Sequence, residues 1–304
     1  MSMQSRRGFL RTVAGGGVVG LAGCLDDQTV SVLSAGSLAV VLEDHLGQAF
    51  ADEHGIAFRG EYYGANAVMR MVEDGQKHPD VVISADNVLL RDRLYESHTD
   101  WDVEFASNSV GLAYNPDSEF GRRLENDEPW YELAETVDDG ELAISDPDLD
   151  PLGYRAMLAF ELAEAEYGLE GFVEQLSEAV YREPEEPQLL AGLEAGNRAA
   201  AVSYRNMAVD HGLPFVEFPD SYNFANPDYE DHYASVSYTT DEGYTADGNA
   251  IIYNATVIDR ADNPDAGRSF VRFLAEAEQL LAENGLTVEG FPNNHGAVPD
   301  EIQQ

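Results

Sequence analysis

The stretch Ser145-Asp-Pro-Asp-Leu-Asp-Pro-Leu-Gly-Tyr-Arg155 carries aspartates at 146, 148 and 150, followed at once by Gly, Tyr and Arg. Side-chain oxygens at alternate positions open an EF-hand calcium loop, so a metal cation is the first chemistry to weigh. Counted from Asp146, the sixth position is Pro151 where that loop needs Gly, and the twelfth is Met157 where it needs a bidentate Glu. The calcium reading fails on both. What remains is an acidic, Pro-containing turn ahead of a helix starting near Gly153, with Asp146 and Asp148 as turn and cap residues.

Catalytic patterns are missing elsewhere. Ala35-Gly36-Ser37-Leu38 lacks the second glycine of a nucleophile elbow. Lys77 is the sole lysine and stands in no phosphate-binding loop. The histidines, at 45, 54, 78, 98, 211, 232 and 295, have no zinc-ligand spacing. Hydrolase and metalloenzyme chemistry are disfavoured.

Two turns do carry chemistry. Gly36-Ser37 before Leu38 and Gly64-Ala65-Asn66 before Val68 each place bare N–H groups where a helix begins, and the partial positive charge there favours an anion. Either turn alone also reads as an ordinary helix cap. Both fall at the carboxyl ends of expected strands, where α/β sheets bind ligands.

The elements that must position these turns follow from hydrophobic periodicity. Strands are expected over 29–36, 56–63, 80–84, 141–144, 199–203, 215–218 and 249–258. Helices are expected over 38–53, 65–73, 88–95, 130–137, 153–176, 189–194 and 264–284. The apolar segment 103–114 reads as a strand crossing between lobes, and the acidic, Tyr-rich region 221–247 resists assignment. Strand–helix alternation with short loops predicts an α/β protein with mainly parallel sheets. About 280 residues after the leader exceed the usual size of one domain, so two lobes are expected.

Composition sets the surroundings. There are 57 Asp plus Glu against 17 Lys plus Arg, a formal charge of −40. Nucleic acid is excluded as a partner, because phosphate backbones need a basic face. Disorder is excluded too, since 44% of residues are hydrophobic and spread along the chain. A folded protein this acidic suits molar salt, where screening quiets acid–acid repulsion, and reads as halophilic and archaeal. At the start, Arg6-Arg7-Gly8-Phe9-Leu10 is a twin-arginine pattern, and Leu21-Ala22-Gly23-Cys24 has the form of a lipoprotein cleavage box. Residues 1–23 read as an export signal, Cys24 as the lipid carrier and 24–28 as a tether, which places the remainder outside the cell membrane and anchored to it.

Four stretches carry a resemblance: Ser34-Ala-Gly-Ser-Leu38, Asp80-Val-Val-Ile-Ser-Ala-Asp86, the run 145–155, and Tyr204-Arg-Asn-Met-Ala-Val-Asp-His-Gly-Leu213. They resemble the archaeal substrate-binding lipoproteins of tungstate/molybdate ABC importers, over essentially the whole chain after the leader. The resemblance implies a two-lobed periplasmic-binding-protein fold, with lobe I at 29–113 and 226–304 and lobe II at 114–225. It implies a monomer that closes on a small oxyanion, needs no other cofactor, performs no reaction and serves permease and ATPase subunits. In that family the metal of the anion can take one oxygen from an Asp and one from a Glu. By resemblance Asp150 is the Asp, and contacts are expected from Gly36, Ser37, Ala65, Asn66, Asp148, Leu149, Ser203, Tyr204 and Tyr222.

Two departures stand out. Ser203 occupies the place of the second carboxylate, and Ala65 that of a serine, with Asn66 as the replacement donor. With Ser203 so aligned, a tetrahedral anion held by hydrogen bonds is expected rather than six-coordination. Arg155 and Arg205 are expected in surface ion pairs. The rival readings are a receptor for sulfate or phosphate, and an extracellular enzyme or polymer-binding lipoprotein using region 221–247.

Overall fold

The computed structural model describes residues 29–303, so the export signal, Cys24 and the tether lie outside the described residues. Strand β1 (Thr29–Ala35) runs through a 3-10 turn (Gly36–Leu38) and a π turn (Val41–Leu46) into α1 (Gly47–His54). The unit recurs as β2 (Ala57–Tyr63), α2 (Ala65–Glu73), β3 (Val81–Ser84) and α3 (Asn87–Leu94). Next come β4 (Trp101–Ser107), β5 (Val110–Tyr114), α4 (Glu119–Leu124), α5 (Trp130–Ala134) and β6 (Leu142–Ser145). Helices α6 (Pro151–Tyr167) and α7 (Phe172–Ala179) lead to β7 (Tyr181–Glu183), a 3-10 turn (Glu186–Gln188), α8 (Ala191–Glu194), β8 (Ala200–Tyr204), α9 (Arg205–Asp210) and β9 (Phe215–Glu217). The return leg holds α10 (Glu230–Tyr233), the hairpin β10 (Ser237–Thr239) and β11 (Thr245–Asp247), then β12 (Ile252–Val257), α11 (Pro264–Glu276), α12 (Glu278–Glu283) and β13 (Asn293–Gly296).

The strands form two α/β lobes, one on a six-stranded sheet ordered β13-β4-β12-β3-β1-β2, the other on a five-stranded sheet ordered β7-β6-β8-β5-β9. The sheets are mixed where mainly parallel ones were expected. Pairs β1–β2, β1–β3, β6–β7 and β6–β8 are parallel, while β4, β5, β9, β12 and β13 pair antiparallel. For β5 and β12 the reason is the double crossing between lobes: a strand that enters a lobe from the other one runs against those made by local βαβ units. The expected crossing strand 103–114 is two strands, parted at Asn108–Ser109, with β4 in the first sheet and β5 in the second. Asn108 Nδ2 donates there to Asn206 Oδ1 (2.7 Å) and to the Tyr253 hydroxyl (3.1 Å).

Local sequence explains the elements that matter. Ala65, Val68, Met69 and Val72 line the buried face of α2 at helical spacing. Pro151 at the first turn and Gly168 in the left-handed conformation (φ 66°) start and stop α6. The single helix expected over 153–176 therefore breaks into α6 and α7, with Gly171 (φ 78°) preceding the second. Parallel register does the rest. Ala35 pairs with Tyr63, so the Gly36 and Gly64 turns leave adjacent strand ends, and Ser34 pairs with Ile83, which brings Ala85–Asp86 alongside. In the second sheet Ser145 pairs with Glu183 and Ala143 with Ala201, aligning residues 146–150, 184–186 and 203–204 at one edge.

Candidate functional site

These two edges face each other. Gly64 meets lobe II so closely that a Cβ there would lie 2.4 Å from Leu149 O and 2.5 Å from Asp150 Cβ. A Cβ on Gly36 would lie 2.7 Å from Pro187 Cδ and 2.9 Å from Glu186 Oε2. The amide of Ala67 donates to Leu149 O (3.1 Å), and Asn206 Nδ2 donates to Ser37 O (2.6 Å). The lobes are closed on one another at the turns the sequence singled out.

Asp150 has two tasks. Its Oδ1 accepts from Gly153 N–H (3.1 Å), so Asp150 itself, rather than Asp146 or Asp148, caps α6, while Oδ2 accepts from the Ser145 hydroxyl. Burial pushes its pKa up to about 7, against the opposing pull of the Ser145 hydroxyl and the Gly153 and Leu152 amides. Asp146 accepts from the Asp148 amide (3.0 Å) in an Asx turn. Asp148 turns away from the cleft centre, its Oδ1 accepting from Asp241 N–H (2.8 Å) at the tip of the β10–β11 hairpin. Glu242 of the same tip pairs with Arg70 of α2 (2.6 Å), so the hairpin straps the mouth across both lobes.

Sequence reasoning missed Glu186. It is 1% exposed, and its Oε2 accepts from Gly36 N–H (2.8 Å), bridging lobe II to the Gly36–Ser37 turn of lobe I. Burial holds its carboxyl well above the usual range, and the charge of Asp150 adds to this, against the Gly36 amide and the Ser37 hydroxyl and amide. The second carboxyl expected to be missing at Ser203 thus enters from another element. Its signal in the sequence was faint: Arg182-Glu-Pro-Glu-Glu-Pro187 fences two glutamates between prolines after a short strand. Nothing in that pattern favours Glu186 over Glu185.

Asn66 is placed as expected, at the first turn of α2 and 3% exposed. Its Oδ1 and Nδ2 both lack a partner among the described residues. A buried amide with both ends unmatched costs free energy unless something else fills its valences. Ala65 starts that helix, buried. Ser203 is buried at the end of β8, its hydroxyl donating locally to Tyr204 O (3.3 Å).

Tyr204 is buried beside Arg155, whose Nη1 donates to its hydroxyl (2.8 Å) and to Ala85 O (2.9 Å). Arg155 Nη2 donates to Asp86 Oδ2 (3.0 Å) and Asn249 Oδ1 (3.1 Å), and the Tyr154 hydroxyl donates to Asp86 Oδ2 as well (2.6 Å). The surface role expected for Arg155 is wrong. Arg155 and Asp86 are 1% and 2% exposed and form an ion pair between lobes, because α6 aims its first turns at the turn after β3. Tyr222 also departs from expectation. It accepts from Trp130 Nε1 (3.0 Å) and bonds Tyr167 at the far end of α6 (3.2 Å), within an aromatic cluster that includes Phe218. That is core packing, away from the cleft.

The arrangement is a closed interlobe site, with backbone amides and an unmatched amide side chain on one wall and two buried carboxyls on the other. Among the described residues no group of three or more His, Cys, Asp or Glu is placed to hold a free metal ion. A family model described as bacterial extracellular solute-binding protein matches residues 30–287. The chain belongs to that family. This solute-binding protein is 47% identical over 304 residues to an uncharacterised solute-binding protein of Halobacterium salinarum, covering 99% of this chain and 98% of that one. It is 38% identical over 304 residues, 97% of this chain and 96% of the other, to a Haloferax volcanii protein provisionally named an ABC transporter molybdenum-binding protein. Its fold matches the periplasmic molybdate-binding protein of Azotobacter vinelandii with a TM-score of 0.60 at 15% identity, covering 85% of this chain and 98% of that one. Binding without catalysis, as the missing enzyme motifs suggested, is what the family does. No helix among the described residues is long and apolar enough to cross a membrane.

Proposed function

We propose that this solute-binding protein captures molybdate or tungstate between its lobes outside the cell membrane and passes the anion to the permease and ATPase of an ABC importer. One observation carries the choice of anion: the cleft that offers amides to an oxyanion also presents the buried carboxyls of Asp150 and Glu186. A carboxylate repels sulfate or phosphate oxygens. It is tolerated beside molybdate or tungstate because the hard, oxygen-seeking metal centre accepts further oxygen ligands, which sulfur does not. The names borne by the Haloferax relative and the Azotobacter structure point the same way. Closure about a hinge is the motion of such receptors, and lipidation at Cys24 after twin-arginine export would keep a monomer beside its transporter.

Isothermal titration in high salt with molybdate, tungstate, sulfate and phosphate tests the reading. The metal oxyanions are expected to bind at least a hundredfold more tightly than the other two. Binding of both no better than roughly millimolar, about −4 kcal/mol, would end it.

A further inference from the structure

Four buried residues close a ring of hydrogen bonds beside the Gly36–Ser37 turn. Asn206 Nδ2 donates to Ser37 O (2.6 Å), Asn108 Nδ2 donates to Asn206 Oδ1 (2.7 Å) and to the Tyr253 hydroxyl (3.1 Å), and that hydroxyl donates to Ser37 Oγ (3.2 Å). Ser37, Asn108, Asn206 and Tyr253 are each at most 2% exposed. The ring draws on both lobes and on the crossing between them: Ser37 and β12 lie in lobe I, α9 lies in lobe II, and Asn108 stands between β4 and β5.

Its direction is fixed at two points by groups of a single polarity. Ser37 O can only accept, so Asn206 presents its nitrogen there and its oxygen to Asn108. The Ser109 amide can only donate, and Asn108 Oδ1 accepts from it (2.9 Å), so Asn108 turns Nδ2 into the ring. The Tyr253 hydroxyl, accepting from Asn108, has one hydrogen to give, and among the described residues its acceptor is Ser37 Oγ. With its oxygen accepting from Tyr253, the Ser37 hydroxyl keeps its own hydrogen outside the ring, on the cleft side where it acts on the Glu186 carboxyl.

We propose that this ring makes Ser37 a one-way donor into the cleft, with Asn108 and Tyr253 as positioning residues that hold its hydroxyl hydrogen toward an oxygen of the bound oxyanion. The inference rests on reading this cleft as an oxyanion site. A lone serine hydroxyl rotates and can accept as readily as it donates. One held as the acceptor of Tyr253 has its donor direction chosen by the fold, so less freedom is lost on binding.

A double-mutant cycle read by tungstate titration in high salt tests this. Ser37→Ala is expected to weaken tungstate binding about tenfold, the scale of one hydrogen bond to a charged group, and Tyr253→Phe, which keeps the aromatic packing, about fivefold. In the Ser37→Ala background, Tyr253→Phe is expected to change the affinity by less than about twofold, because no hydroxyl is left to orient. Asn108→Ala, on the far side of Tyr253, is expected to give the same pattern and serves if Tyr253→Phe folds poorly. An equal loss from Tyr253→Phe in both backgrounds overturns the proposal, since it makes the tyrosine a packing residue alone. So does wild-type affinity in the single Tyr253→Phe variant. If the wild type binds no oxyanion, the functional reading falls and takes this inference with it; binding with an additive cycle sinks the inference alone.

Discussion

Asp150 is asked to do two things that substitutions can separate. As the cap of α6 it satisfies the Gly153 amide; as a cleft carboxylate it is proposed to face the metal of the anion. Asparagine caps a helix about as well as aspartate, whereas alanine forfeits about 1 kcal/mol. Asp150→Asn should therefore keep a thermal midpoint near wild type yet lose tungstate affinity by at least tenfold, with sulfate binding little changed; calorimetry on both anions checks it. The raised pKa gives a second outcome. A carboxyl that titrates near 7 is largely protonated below that pH and must ionise to bind a metal, so binding should release protons. Tungstate affinity is expected to rise from pH 6 to pH 8, and titrations in buffers of different ionisation enthalpy would reveal the released proton. The stability of the empty protein runs the other way: burial favours the protonated form, so that contribution is present at low pH and lost as pH climbs from the ordinary value of 3.8 to about 7.

At the scale of elements, the closing contact runs through glycines whose own conformations do not require glycine. Gly64 has φ −56° and ψ 139°, open to any residue, yet a methyl there would strike Leu149 and Asp150 of the other lobe. Gly64→Ala should leave each lobe folded, with an unchanged circular-dichroism spectrum, and block closure, abolishing anion binding by calorimetry. Much of this level was legible beforehand. Helix α2 falls at 65–73 as its apolar spacing predicts, and the Gly36 and Gly64 turns lie at strand ends, because short βαβ units advertise themselves through local periodicity. What was not legible depends on meetings between distant segments. Tyr222 looked like a phenolic donor until Trp130 and Tyr167 claimed it, and Glu186 is invisible until β7 pairs with β6. The β10–β11 hairpin came from a region with no readable period, since each of its strands is three residues long.

For the molecule as a whole, the formal charge of −40 sets the conditions of folding. At about 0.1 M salt the Debye length is about 10 Å and neighbouring surface acids repel; at about 1 M it is about 3 Å and they scarcely interact. The thermal midpoint should climb steeply with potassium chloride up to molar concentrations, measured by scanning calorimetry, and sodium chloride should act nearly as well if screening is the cause. Arg155 and Asp86 stand apart from that surface. Ions in the medium cannot enter where they lie, so dilution strips the exterior of its shielding without loosening this tie. As brine is thinned, then, the order of failure is set: the outer shells of the two halves should fray while their seam still holds, and fragments cut from a diluted sample should come from the periphery before the halves separate.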